Sequence, residues 1–478
     1  GVVLIGAVHD YLSLMISVRN RGTSLAEVAR GAVSPAARVL FLAFVWIGLV
    51  LVVTAFCNAA VGTFVSAPEI VLPTFSLVGI AVLFGFLTHR LGLNTVVSTV
   101  IALGLLVGVI GLGFVVPIEL QDFGVPEESV QGTWIVILLV YGMVASVLPV
   151  WVLLQPRDYI ATWILIFGMG LGYLGIAWVH PEIKAPGFTT AMSASRGPIW
   201  PMLFILVACG AVSGFHSLVA GGTTSKQLAS ERHGRLVGYG SMLVEGGLAL
   251  MSLIAVSAGL YYTATQAGGR GPALQTILAE EGKLVAFGRG YNVLTRPILG
   301  PLGEVLGLPR LGLVVGLTMV NAFVMTTLDT SVRLTRFITT ELAGPPLRVF
   351  RNRFVATLPA VVVAYVLAVQ KDAFDQVWPM FGAANQLIAA LALMTITAYL
   401  LQRGKPTLYT VIPALFMLAT TMAALVWQAY DNLVKADVPN YTMGVTALVL
   451  LVLAGVLVHQ GRRALIQGLS ARRAGSEA

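Results

Sequence analysis

The chain is poor in charge. Asp, Glu, Lys and Arg together make up only 10% of its 478 residues, where a soluble domain carries roughly 25%. A water-soluble fold of this length could not cover so much apolar surface. Cysteine is almost absent as well, and Cys57 and Cys209 both fall inside apolar runs. A disulfide framework is excluded, and two buried thiols acting as small hydrophobes is the simplest reading. No CxxC or HExxH spacing occurs, so the sequence gives no metal signal and implies no cofactor. The N-terminus has neither a charged n-region nor a cleavage site. It has no Met, and Gly1 opens directly inside an apolar run, so the chain is expected to be cut at its front end.

What the sequence has in abundance is hydrocarbon. Hydrophobic residues reach 57% and the mean hydropathy is +0.88. Apolar runs of about 20 residues, each long enough to cross a bilayer, recur along the chain. In lipid the backbone must satisfy itself, so these runs are helices. The fold class expected is an all-α polytopic membrane protein with thirteen spans: 1–18, 38–62, 71–88, 93–118, 134–154, 159–179, 198–223, 236–262, 311–332, 354–370, 377–400, 407–428 and 441–460. The whole of 1–478 reads as a single transmembrane domain. Within it, 263–310 is a long Gly/Pro-punctuated connection expected to pack as short or re-entrant helices, and 461–478 is a polar tail.

Loop charge supports that count. One alternating set of loops holds Arg19, Arg21, Arg30, Arg38, Arg90, Arg157, Lys226, Arg232, Arg235, Arg333, Arg336, Arg348, Arg351, Arg353, Arg403, Lys405, Arg462, Arg463, Arg472 and Arg473. These are 20 of the 29 basic residues. Cytoplasmic loops collect Lys and Arg, which puts this set and the C-terminus inside. Glu119, Asp122, Glu127 and Glu128 crowd one opposite loop. The net charge of +8 therefore orients the protein in a membrane and gives no sign of nucleic-acid binding.

Ionisable residues within spans are expensive, and each is a functional hypothesis. His9-Asp10 can relay a proton, because imidazole titrates near neutrality, or it can be a structural pair bonded to a neighbouring helix. Asp329 lies among Thr326, Thr327, Thr330 and Ser331, a set of oxygens suited to Na⁺ or to a proton network. An i,i+4 ion pair with Arg333 is its simpler explanation. Arg333 is expected to reach the headgroups, leaving Asp329 for energy coupling. Glu245, followed by Gly246-Gly247, reads as a structural hydrogen bond across a close helix contact. Arg157-Asp158 reads as a turn-stabilising pair.

The run from Cys209 to Gln227 is the most informative. It crowds Gly210, Gly214, Gly221 and Gly222 into one span with Ser213, His216, Ser217, Thr223 and Thr224. Glycine costs roughly 1 kcal/mol per helix-interior position. Such a span is expected to break between Gly210 and Thr224 and to offer backbone groups to a solute. Tight small-residue packing explains the glycines but not the histidine and hydroxyls. Asn385 and Gln386 enter an otherwise apolar span as gate residues or as interhelical glue. The candidate solute-binding set is Ser213, Gly214, His216, Gly221, Gly222, Thr223, Thr224, Asn385 and Gln386. The coupling set is Asp329, Thr326, Thr327, Thr330, Ser331, His9 and Asp10.

Six stretches together resemble the carbon starvation protein A family: Gly6-Ala7-Val8-His9-Asp10, Ala145–Trp151 through Gln155–Tyr159, Ser213-Gly214-Phe215-His216, Gly222–Lys226, Thr327-Leu328-Asp329-Thr330, and Trp378-Pro379 through Asn385-Gln386. The match runs in order from the first residues to about residue 400. The resemblance implies a multi-pass bacterial inner-membrane carrier for peptides or for pyruvate, the latter by proton symport. It also implies a LeuT-type inverted-repeat core in which 198–223 opens the second repeat. In sodium-coupled relatives of that fold, the span equivalent to 311–332 supplies a cation site. Family members begin with further helices, one carrying the Gly/Pro break of the first repeat, so N-terminal helices are expected to be missing here. The alternatives are a sodium-coupled carrier of another small polar solute and an intramembrane enzyme. No GxSxG nucleophile motif supports the enzyme. A channel would want rings of carbonyls or charges, and a sensor would want a soluble domain. The partners implied are a small solute, H⁺ or Na⁺, and lipid.

Overall fold

The computed structural model describes residues 1–478 apart from 33, 194, 195, 208, 269–271, 436–438 and 475–478; the side chains of 31, 32, 461 and 463–474 also lie outside the description. Gly269, Arg270 and Gly271 of the long connection and the end of the polar tail are thus outside the described residues. The rest is nearly all helix, with one two-residue strand pair, Met192–Ser193 against Gly197–Pro198.

Among the described residues, eleven helices are long and apolar enough to cross a membrane. They run Val2–Arg19, Pro35–Ser66, Pro68–His89, Thr95–Val115, Glu127–Val147, Leu154–Val179, Glu231–Gly259, Leu311–Ala343, Ala373–Gln402, Leu408–Lys435 and Tyr441–Gln460. Each corresponds to one expected span. The other two expected spans take different forms. Arg353–Ala368 is a shorter apolar helix, and 198–223 is interrupted. The chain is a multi-pass membrane protein.

Local chemistry sets the helix ends. Ser34 Oγ accepts from the Ala37 N–H at 3.0 Å, with Pro35 opening the helix Pro35–Ser66. Asn94 and Asn352 cap Thr95–Val115 and Arg353–Ala368 in the same way. In the long connection the structure differs from expectation. Two short helices, Ala264–Ala267 and Leu274–Glu280, precede a 24-residue helix, Lys283–Leu306, which continues through Pro297 and Pro301. Its buried face (Val285, Phe287, Tyr291, Leu294, Leu299) packs on Leu154–Val179, and that packing outweighs the prolines. Gly307, at φ 67°, ends it in a left-handed conformation that glycine adopts without strain.

Two compact units divide the chain: Gly1–Ala55 with Thr190–Gly246 and Leu334–Ala478, and Phe56–Thr189 with Gly247–Arg333. In the first, Ala373–Gln402 is the central element, with 89% of its spanning window buried. The helices Leu408–Tyr430, Tyr441–Ala474, Gly214–Gly222 and Leu25–Ala32 pack around it. In the second, a core of Leu77, Phe84, Ile160, Met251, Tyr291 and Met319 draws on five helices. The rings of Phe64, Phe75, Trp134 and Tyr141 pack together with contacting centroids 5.1–6.3 Å apart.

Candidate functional site

In the first unit the functional side chains gather at the interruption in 198–223. A short helical stretch ends at Leu206, 209–213 is non-helical, and the helix resumes as Gly214–Gly222. The interruption therefore reaches into the first residues, 210–213, of the stretch expected to break. From Gly214 to Gly222 the chain is helical, so the expected break within Gly210–Thr224 is confined to the start of that stretch. The reason lies in Asn385. Its Oδ1 accepts the Phe215 N–H at 2.8 Å and the Ser213 hydroxyl at 3.2 Å, so the central helix Ala373–Gln402 caps the resumed one. Gly214 allows this approach, since a Cβ there would run into the Asn385 carbonyl and the Ala389 nitrogen.

Five ionisable side chains meet at this break. Asp10, on Ala7–Arg19, takes His9 Nδ1 on Oδ1 at 2.7 Å and His216 Nδ1 on Oδ2 at 2.9 Å. His216 presents Nε2 to Glu245 Oε2 at 3.0 Å, and Cys209 Sγ stands 3.6 Å from Glu245 Oε1. His9 is wholly buried and its Nε2 has no hydrogen-bond partner among the described residues. The sequence reading missed the Cys209 and Glu245 contributions. It took Cys209 for a small hydrophobe and Glu245 for a helix-contact hydrogen bond, whereas the two share one polar cluster with His216.

The expected solute set does not form a single group. Ser213, Gly214 and Asn385 lie at one end of Gly214–Gly222 and Gly221 to Thr224 at the other, about 12 Å apart at the α-helical rise. Gln386 turns to a different neighbour, accepting from Thr421 Oγ1 at 3.4 Å. Thr223 ends the helix and Thr224 begins a tight turn through Lys226. A cavity of about 570 Å³ lies beside that second end, lined by Gly222 and Lys226 with Ser24, Glu27, Arg38 and Glu341 among others.

In the second unit Asp329 is buried at 1% exposure, and its partner is Arg157, also at 1%. Arg157 engages both carboxylate oxygens, through Nη1 on Oδ2 and through Nη2 on Oδ1 at 3.1 Å. Tyr141 completes the group, donating to Asp329 Oδ2 at 3.1 Å and accepting from Arg157 Nη1 at 2.8 Å. Arg157 also reaches Asp158 at 3.0 Å, so the sequence-adjacent pair exists, but the turn-stabilising role was too small a reading. Two further expectations are corrected. Arg333 is buried and donates Nη2 to the Ala145 carbonyl at 2.6 Å, neither reaching headgroups nor pairing with Asp329. The hydroxyls of Thr326, Thr327 and Ser331 each donate to the carbonyl four residues back, and Thr330 approaches Asp329 only at 3.5 Å. In place of the expected cluster of hydroxyl oxygens, a guanidinium engages Asp329.

Comparison with known proteins decides the family. The model described as "Carbon starvation protein CstA" matches residues 1–271 and 272–424. The chain belongs to the CstA family. Among CstA-family relatives, it is 30% identical to the peptide transporter CstA of Campylobacter jejuni, covering 88% of this chain and 67% of that protein. It is 32% identical to the pyruvate/proton symporter BtsT of Escherichia coli, covering 89% and 69%. The peptide transporter CstA of Bacillus subtilis is 29% identical over 96% of this chain and 81% of its own length. A solved structure, the Eremococcus coleocola manganese transporter bound to an aromatic bis-isothiourea compound, aligns over 98% of this chain and 93% of its own at TM-score 0.43 and 11% identity. For this CstA-family chain the relatives support a transporter and not an enzyme.

Proposed function

We propose that this chain is the membrane body of a secondary carrier that moves a small carboxylate-bearing solute, a peptide or a pyruvate-like acid, together with protons across a bacterial inner membrane. Its basic loops and C-terminus face the cytoplasm. The names of its CstA and BtsT relatives supply the solute classes. The observation that carries the mechanism is the buried Arg157–Asp329–Tyr141 group.

Guanidinium is the side chain best matched to a carboxylate, because its planar fork presents parallel N–H groups. In this structure Asp329 occupies that fork, while the buried Arg157 Nε has no hydrogen-bond partner among the described residues. A proton delivered to Asp329 cancels its charge and loosens its hold on Arg157. The fork is then free to take the carboxylate of the solute. Loss of the proton restores the internal pair and expels the solute. Proton and anion are bound together or not at all, which is the differential occupancy a coupled carrier requires. At the carboxylate itself a sodium ion would have to compete with the guanidinium that engages both Asp329 oxygens. The geometry thus favours protons over Na⁺. The helix break capped by Asn385 remains a candidate for solute contact through Ser213 and the backbone around it.

The test is uptake of labelled pyruvate and of a labelled dipeptide into proteoliposomes under separately imposed pH and sodium gradients. A pH gradient should drive accumulation and a sodium gradient should not. Asp329→Asn should retain solute exchange and lose gradient-driven accumulation. Normal accumulation by that variant would place coupling elsewhere.

A further inference from the structure

We propose that Cys209, His216 and Glu245 form a binding site for a divalent transition-metal ion, with zinc the best fit, and that Asp10 is its outer-shell support. The three residues offer one sulfur, one nitrogen and one oxygen donor, and these atoms all lie within 4.8 Å of one another. That donor set is the one zinc selects, and hard cations such as Mg²⁺ do not share it. A tetrahedral zinc centre of ordinary bond lengths holds its sulfur and oxygen ligands roughly 3.6 Å apart and its nitrogen and oxygen ligands about 3.4 Å apart. Cys209 Sγ and Glu245 Oε1 stand at 3.6 Å, and His216 Nε2 and Glu245 Oε2 at 3.0 Å. The two contacts fall on different oxygens of Glu245, so the carboxylate would turn to bring one oxygen onto a shared ion, with all three donors already within 4.8 Å of one another.

Three further features agree. Metal-bound histidine almost always passes its second ring N–H to a carboxylate, a backbone carbonyl or water, which fixes the tautomer and aims the ligating nitrogen. His216 Nδ1 is held by Asp10 Oδ2 at 2.9 Å, leaving Nε2 on the side of Cys209 and Glu245, and Asp10 is in turn held by His9. The helix break brings the ligands together. In an unbroken helix, positions 209 and 216 would be about 10.5 Å apart along the axis. The chain before Gly214 departs from the helix, and their donor atoms come within ligand range. Charge balance is the third feature. Two carboxylates, Asp10 and Glu245, sit here with only imidazoles as ion-pair partners among the described residues, and a divalent cation offsets that excess. A metal would join the interruption to the helix Ser241–Gly259 and, through Asp10, to Ala7–Arg19.

The experiment uses the purified protein in detergent, stripped with a chelator and titrated with Zn²⁺ or Co²⁺ alone. The protein should take up one equivalent of either ion, and the cobalt form should show a near-ultraviolet thiolate-to-metal charge-transfer band. Cys209→Ser should abolish that band, whereas Cys57→Ser, which alters the other thiol, should leave it unchanged. Asp10→Asn should keep the stoichiometry but weaken Zn²⁺ binding by roughly 10- to 100-fold. Absence of the band in the unmodified protein, or its survival in Cys209→Ser, would overturn the proposal. His216 would then be an imidazole clamped between two carboxylates and nothing more. Because the decisive spectrum is taken on the unmodified protein, misfolding of a variant leaves the test intact.

Discussion

Asp329 and Arg157 are 172 positions apart in sequence and share one buried ion pair. Removing one partner of such a pair leaves the other charge stranded in a low-dielectric interior, which typically costs about 3–5 kcal/mol, while replacing both by apolar groups is often close to neutral. Arg157→Met and Asp329→Leu should therefore each lower the unfolding temperature of the detergent-solubilised protein strongly, and the double variant should recover most of that loss. Equal and additive losses would mean that the two groups do not depend on each other. Arg157→Lys keeps the charge but loses the fork. It should raise the half-saturating concentration of a carboxylate solute by roughly 10-fold or more, by analogy with other bidentate sites, with exchange still detectable. At this scale the sequence pointed to Asp329 as a costly carboxylate and to the wrong arginine. Arg333, at i+4, was the near neighbour in sequence, but in space Arg157 holds the carboxylate while Arg333 serves the Ala145 carbonyl.

The interrupted segment 198–223 depends on close backbone approach as much as on hydrogen bonding. Gly214 sits against the backbone of Asn385 and Ala389, and Gly6 against the Ala211 carbonyl. Neither neighbour can yield as a side-chain tip could. Gly108, on Thr95–Val115, has nothing within 4 Å of where its Cβ would stand. Helix propensity favours alanine over glycine by roughly 1 kcal/mol at all such interior positions, so contact decides the sign. Gly214→Ala should destabilise the protein by about 1–3 kcal/mol, and Gly214→Leu should abolish transport while the protein still inserts. Gly108→Ala should be neutral or slightly stabilising. Thermal melts of the purified variants, with membrane yield as a check on insertion, would read all three. The density of Gly, Ser and Thr announced an irregular helix here. It did not show where the break would end, because the cap that lets Gly214–Gly222 resume comes from Asn385, about 170 residues away.

For the molecule as a whole, the arrangement in the membrane turns on one element. The helix Lys283–Leu306 is long enough to cross but is amphipathic, with Arg289 paired to Glu281 at its start and the two prolines in its second half. It is not among the helices apolar enough to span. The basic loops on either side of it alternate correctly only if it stays on one face. Single cysteines near Arg30 and Arg348 should both be shielded from a membrane-impermeant thiol reagent applied outside intact cells, while one near Glu127 should react. Labelling near Arg348 with protection near Arg30 would mean that Lys283–Leu306 crosses, and every later loop would change sides.

Composition and the period of the apolar runs were enough to determine a polytopic helical membrane protein, where its helices lie, and, through its motifs, its family. These features depend on one-dimensional quantities: hydrocarbon per residue, run length against bilayer thickness, and local glycine and proline. Which polar groups meet was decided only in three dimensions. His9 and Asp10 are neighbours in sequence, but the cluster they complete takes His216, Cys209 and Glu245 from positions more than 190 residues away. In a membrane interior a lone charge is costly enough that each must find a counter-charge or a ligand, so sequence alone can flag the expensive residues. Their partners depend on which helices pack face to face and where the chain leaves the helix, and local spacing does not encode either.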